Sequence, residues 1–377
     1  MKQMFHCLVT TVVLAAGISS ASAQSTSKDP IKVGILLGLT GTSAGYTLDE
    51  RRAAEAVTEK VNSAGGINGR KIELVIRDTK TNPTEAARVA SQVILDDKVV
   101  AILGAGTASE TLAFADFAAR NQTPIFAPTA SQSVTDPSTS YFKWIFRMAP
   151  PLSADAPKLM DKVKADGRKT IAIFVQEDAY GQQASEMMKD YANKNGIKIA
   201  EIVSAPISNT DFTTHAIKLR NARPDAVLIA ASQTQTASSM LRKLREMGST
   251  APVYGVSALV SSAILEAAGP AAEGLIALSN SNPFDPGPLK PLVELLKDHG
   301  GNRSYGSVCG ATAMEAIVQA LRTGATTGSE IRDAVEKMGP IKLYAAAPVE
   351  YSETNHDGWG PGTMFFVTVK DGKFVNL

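Results

Sequence analysis

Short, nearly continuous apolar runs alternate along the chain with longer stretches in which apolar residues recur at helical spacing. The first pattern belongs to strands buried on both faces, the second to helices with one buried stripe. Ile31 to Leu37 is the first such strand, and a helix is predicted from about Asp49 to Ala64, with Ala53, Ala54, Val57 and Val61 on one face. Gly65, Gly66 and Gly69, around Ile67 and Asn68, end that helix and turn the chain into a second strand, Lys71 to Arg77. Asn82 followed by Pro83 and Glu85 reads as a helix start: Asn82 caps, Pro83 fits the first helical position, and Glu85 reaches back to the cap N–H. Strands at Val99 to Leu103 and Pro124 to Phe126, with a helix from about Ser109 to Asn121 between them, complete a βαβαβ series. Right-handed crossovers make such a series a parallel, doubly wound sheet.

The pattern stops near Phe146 to Pro151 and restarts. Thr170 to Val175, Lys198 to Val203, Ala226 to Ala230, Val253 to Val256 and Leu275 to Leu278 are predicted strands, each separated from the next by a helical run. This α/β pattern predicts two Rossmann-like doubly wound lobes in tandem. The chain then continues with helical residues from about Pro286 to Met338 and ends in strands around the Asp371-Gly372 turn. These late elements need sheets to pack on, so the chain is expected to cross between lobes three times, near 147–151, 279–284 and 344–348. The predicted organisation is a first lobe from 29–147, a second from 148–280, a return to the first over 281–346, and a return to the second over 347–377.

The N-terminus changes the picture of where the chain acts. Lys2 gives a short positive region, Phe5 to Ile18 is apolar, and Ala21-Ser22-Ala23 matches the small-x-small word cut by signal peptidase. Residues 1–23 are therefore expected to be a signal peptide, with Gln24 as the mature N-terminus and the periplasm as the destination. Interruptions at Thr10, Thr11 and Gly17 argue against a spanning helix. The charge balance, 38 Lys and Arg against 37 Asp and Glu, leaves nothing to attract nucleic acid or an anionic membrane. Of the two cysteines only Cys309 lies beyond the signal, so no intramolecular disulfide is expected, and Cys309 reads as a buried, inert thiol.

Several words of the sequence carry a family resemblance. They are Ile31 to Gly41 (IKVGILLGLTG), Ala64 to Arg70 (AGGINGR), Ile76 to Thr79 (IRDT) with Asn82-Pro83, Ala127 to Ala130 (APTA), Asp178 to Gly181 (DAYG), and Asp211-Phe212 before a Lys/Arg-rich helix. In this order the chain resembles the leucine/isoleucine/valine-binding protein family over essentially its whole mature length. The resemblance implies the type I periplasmic binding fold with three hinge crossings. It also implies a monomeric solute-binding component of an ABC importer, with permease and ATPase subunits as partners and no cofactor. A ligand sensor on the same fold is the alternative, and an enzyme the remotest one.

The motifs an enzyme would need are incomplete. Gly104 and Gly106 follow a strand as in a dinucleotide fingerprint, but Ser109 stands where the third glycine belongs and no acid ends the next strand to hold a ribose. No phosphate loop is present, and Gly255-Val256-Ser257 is half of a nucleophile elbow. His6, His215, His299 and His356 lack metal-ligand spacing, so no metal is expected.

Doubly wound sheets bind ligands at the C-terminal ends of their strands. Here those ends are Thr40 to Tyr46, Gly104 to Ser109, Ala127 to Ser131, Gln176 to Tyr180, Ala231 to Thr236 and Val256 to Leu259, rich in hydroxyls and amides and poor in basic side chains. Backbone N–H groups and hydroxyls can hold a small carboxylate there without Arg or Lys. The resemblance places carboxylate-holding loops at Ala108, flanked by Thr107 and Ser109, and at Thr129, Ala130 and Ser131. It places cleft-lining positions at Tyr46, Tyr180 and Gln233. Ser257 aligns with the acid that pairs the α-ammonium in that family. An unpaired buried ammonium costs about 3–5 kcal/mol. The neutral Ser257 therefore predicts a carboxylate lacking an α-amine, an aromatic or short aliphatic acid, with a branched-chain amino acid as the alternative.

Overall fold

The computed structural model describes residues 29–280, 289–300, 304–344, 348–359 and 364–377. The expected signal peptide lies outside these residues. Strands β1 (Ile31–Leu37), β2 (Ile72–Asp78), β3 (Ala101–Gly104), β4 (Ile125–Ala127) and β5 (Ile145–Arg147) form one sheet in the order β2-β1-β3-β4-β5, parallel throughout. Alternation along β1 divides the packing. Val33, Ile35 and Leu37 face helices α1 (Ala44–Ser63) and α10 (Tyr305–Arg322), while Leu36 faces α2 (Pro83–Leu95) and α3 (Ala108–Arg120).

The second sheet has seven strands: β6 (Thr170–Gln176), β7 (Lys198–Ala205), β8 (Ala226–Ala230), β9 (Val253–Gly255), β10 (Ile276–Ser279), β13 (Phe365–Lys370) and β14 (Lys373–Asn376). Its order is β14-β13-β10-β9-β8-β6-β7, with β13 antiparallel to β10 and hairpinned to β14. The hairpin turns through Asp371 and Gly372, both at positive φ (51° and 69°), as a two-residue turn requires. Helices α4 (Leu152–Ala165), α5 (Ala179–Asn195), α6 (Thr213–Asn221), α7 (Thr234–Glu246) and α8 (Ser262–Ala268) enclose this sheet around a separate core.

After β10 the chain rejoins the first lobe as α9 (Lys290–Leu296), α10 and α11 (Gly328–Lys337). The ribbon of β11 (Pro340–Ile341) and β12 (Val349–Glu350) stays there too, and so do Tyr351 and Trp359. Tyr351 packs edge-on against Phe146, and its hydroxyl donates to the Arg147 carbonyl at 2.7 Å. Met364 is the first later residue in the second lobe's core. An aromatic anchor, absent from any alternation pattern, thus holds 349–359 against the first lobe, while the crossing expected near 344–348 falls largely outside the described residues.

Two local readings also shift. Helix α1 begins at Ala44, five residues before the predicted start, with the Thr47 hydroxyl donating to the Gly38 carbonyl at 2.6 Å. The Asn82 side chain accepts from the Glu85 N–H at 3.0 Å as expected, but the Glu85 carboxylate does not reach back. It chelates Arg88 at 2.7 and 2.8 Å, and the Asn82 N–H donates to the Thr79 carbonyl instead.

Candidate functional site

The C-terminal ends of both sheets meet across an interface stitched by direct bonds. The Ser131 hydroxyl and the Gln132 N–H both donate to Gln183 Oε1, at 2.9 and 3.0 Å, and the Tyr305 N–H donates to the Val260 carbonyl at 3.4 Å. Gly45 lies so close to α7 that a Cβ on it would stand 2.6 Å from Thr234 Cβ. Within this interface Tyr46, Gly106, Thr129, Ala130 and Tyr305 from the first lobe enclose a cavity with Tyr180, Ser232, Ser257 and Ala258 from the second. At about 10 Å³ it has room for about one water. A larger solute must therefore part the lobes to enter.

Of the sequence-predicted residues, Tyr46, Thr129, Ala130, Tyr180 and Ser257 line this cavity. The others stand beside it with different tasks. Thr107 caps α3, accepting from the Glu110 N–H and donating to its carboxylate at 2.5 Å, while Ala108 and Ser109 begin that helix behind the lining. Ser131 is committed to the Gln183 contact. Gln233 is fully buried at the start of α7, next to lining residue Ser232, and its side-chain amide meets no partner. Gly106 and Ser232 belong to loops singled out by their position, but Tyr305, brought from α10, was not anticipated.

Two carboxylates were missed as well, and they change the electrostatics most. Asp155, on α4, is fully buried, and its Oδ2 accepts from the Ser257 hydroxyl at 2.6 Å while Oδ1 has no partner. Burial pushes it up to about 7, against the pull of that hydroxyl and of the Arg147 and Lys158 charges. Glu50, on α1, is also fully buried, with no hydrogen bond to either oxygen. Desolvation first, then the nearby Glu110 and Asp49, hold it well above the usual carboxylate range.

Both acids could have been found from helical register. Glu50 lies three, four and seven residues before Ala53, Ala54 and Val57, and Asp155 lies between Leu152 and Leu159 on the same stripe. An acid in register with a buried face is a polar group asking for a reason.

The hydroxyls around the cavity divide into satisfied and open ones. Tyr46 donates to the Gly106 carbonyl at 3.0 Å, whereas the Tyr180 hydroxyl is buried with no partner. Asp178 is largely buried and caps α5 by accepting from the Gly181 N–H at 2.8 Å, and burial raises it to about 6. Glu110 is buried between the Thr79 and Thr107 hydroxyls, each at 2.5 Å, so its place at the helix start is that of a hydrogen-bonded core group. Cys309 is fully buried, with its thiol pushed well up by desolvation. Among the described residues no cluster of His, Cys, Asp and Glu is placed to hold a metal ion.

The chain matches the periplasmic binding protein family over residues 30–373. It is 26% identical over 378 residues to Leu/Ile/Val-binding protein homolog 1 of Brucella suis, spanning 99% of this chain and 98% of that one. An amino acid binding protein of Pseudomonas aeruginosa is 26% identical over 259 residues, 68% of each chain. In fold it is similar to an extracellular ligand-binding receptor from Rhodopseudomonas palustris, with a TM-score of 0.84 at 23% identity over 92% of this chain and 99% of that one. The branched-chain amino acid transporter substrate binding protein LivJ from Streptococcus pneumoniae, solved in complex with isoleucine, gives 0.82 at 20% identity over 92% and 97%. The chain belongs to the periplasmic binding protein family and is a solute-binding protein, not an enzyme.

Proposed function

We propose that this protein captures a small zwitterionic amino acid in the periplasm and delivers it to the permease of an ABC importer. The observation that carries the reading is Asp155: a buried carboxylate with one oxygen on Ser257 and the other facing no partner, beside a cavity shared by both lobes. Ser257 alone predicted a ligand without an α-amine, but Asp155 reaches the same place from α4 and supplies the acid that residue 257 lacks. An α-ammonium would satisfy Oδ1 and restore the charge that burial disfavours. The solute's carboxylate would face the Tyr180 and Thr129 hydroxyls. Because contacts come from both lobes, the solute stabilises the closed arrangement through its preferential affinity for it.

A second reading keeps an acid without an amine. With Asp155 at about 7, its protonated form could donate to a ligand carboxylate. A thermal-shift screen with α-amino acids and their deaminated counterparts separates the two. A ligand at ~100 times its Kd adds ~2.7 kcal/mol of stability. Stabilisation by amino acids and not by the matched acids supports the proposal; the reverse order contradicts it.

A further inference from the structure

We infer that Glu50 is a specificity-determining residue of this site, accepting a hydrogen bond from an N–H donor on the solute's side chain and so selecting donor-bearing amino acids over aliphatic ones. The inference rests on the amino-acid reading and adds the side-chain class to it. Glu50 follows Tyr46 by one helical turn on α1, and Tyr46 lines the cavity. Gly106, another lining residue, has no side chain to screen the acid: a Cβ there would stand 3.3 Å from Glu50 Oε2 and 3.4 Å from the Tyr46 ring. Tyr305, a third lining residue, is close enough for Glu50 to perturb its hydroxyl. The carboxyl thus sits one layer behind the lining, and both of its oxygens are buried and bonded to nothing.

Among the described residues no cation acts on Glu50. The charged groups acting on it are Glu110 and Asp49, both acids, and Glu110 is already bonded to Thr79 and Thr107. A buried acceptor of this kind is normally satisfied, and an orphan beside a ligand cavity is explained when the ligand completes it. The lining agrees, since among the described residues it consists of tyrosine, serine, threonine, alanine and glycine without a Leu, Ile, Val or Phe side chain. Discrimination of this kind is strong, because an aliphatic solute would leave the acid unpaired.

Calorimetric titrations of the full mature protein with L-glutamine, L-lysine and L-leucine test it, in wild type and in Glu50→Leu, Glu50→Ala and Glu50→Gln. Wild type should bind glutamine or lysine at least tenfold tighter than leucine. Glu50→Leu, or Glu50→Ala if leucine there prevents folding, should erase that preference, and Glu50→Gln, which keeps an oxygen acceptor, should retain part of it. A wild type that prefers leucine, or a Glu50→Ala protein that keeps a tenfold preference for glutamine or lysine, overturns the inference. If leucine binds tightest and its binding requires Asp155, the amino-acid reading stands while the role of Glu50 falls. If none of the three binds and deaminated acids do, both fall.

Discussion

Asp155 and Glu50 show what a loop-by-loop reading cannot see. The sequence singles out Thr129, Tyr180 and Ser257 because loops at strand ends are recognisable, and the fold brings all three to one cavity. It gives no warning that a helix on the other side of the sheet end delivers a carboxylate to Ser257, since that proximity spans 102 residues. Asp155 also makes a prediction about pH. Its folded-state value is raised, so the folded protein holds a proton that the unfolded chain releases at lower pH. Stability from this group is therefore complete below the unfolded value near 4 and is lost as pH rises toward 7, by about 4 kcal/mol. Asp155→Asn removes this dependence. Urea unfolding at pH 5 and pH 8 should show the variant gaining on wild type by 2–4 kcal/mol at the higher pH, roughly. A constant difference between the two proteins would mean that burial does not raise Asp155 above its unfolded value.

Between elements, the contact that sets the cleft is that of α1 with α10. Gly306 and Gly310, one turn apart on α10, lie against the backbone carbonyls of Tyr46 and Glu50, one turn apart on α1, so closely that a Cβ at either glycine would collide with the oxygen below it. The Ser304 hydroxyl, at the start of α10, donates to Asp49 at 2.7 Å. The two helices thus hold Tyr46, Glu50 and Tyr305 in one rigid unit. Gly310→Ala should cost about 1–3 kcal/mol in urea unfolding through overpacking, and should weaken solute binding by displacing Tyr46; unchanged stability would contradict the close approach. Periodicity predicted the strands of both lobes to within a few residues except the short β5, β11 and β12, because each predicted run is apolar and bounded by turns. It gave no sign of the anchoring of 349–359 on the first lobe, which depends on single aromatic contacts, Tyr351 on Phe146 and the Trp359 indole N–H on the Arg147 carbonyl at 3.3 Å.

For the molecule as a whole, the account requires that the lobes close on the solute. Tandem doubly wound sheets and three crossings were legible in the alternation of strand and helix; the closeness of the lobes was not, since it depends on small residues facing each other, as Gly45 faces Thr234. Gly45→Val should wedge the lobes apart while leaving each core intact. Small-angle scattering should show a larger particle, and binding should weaken at least tenfold, or about 1.4 kcal/mol. A variant that binds like wild type would argue against closure at this point.

The proposed function turns on an α-ammonium of the solute held by Asp155 between the two lobes. Calorimetric titration of the best-binding α-amino acid and of its deaminated analogue into wild type and Asp155→Asn tests it most directly. Wild type should bind the amino acid and not the analogue, and Asp155→Asn should lose about 3–5 kcal/mol of that affinity, the cost of an ammonium left without its partner. Equal affinity of the two proteins for the amino acid, or tighter binding of the analogue by wild type, would contradict it.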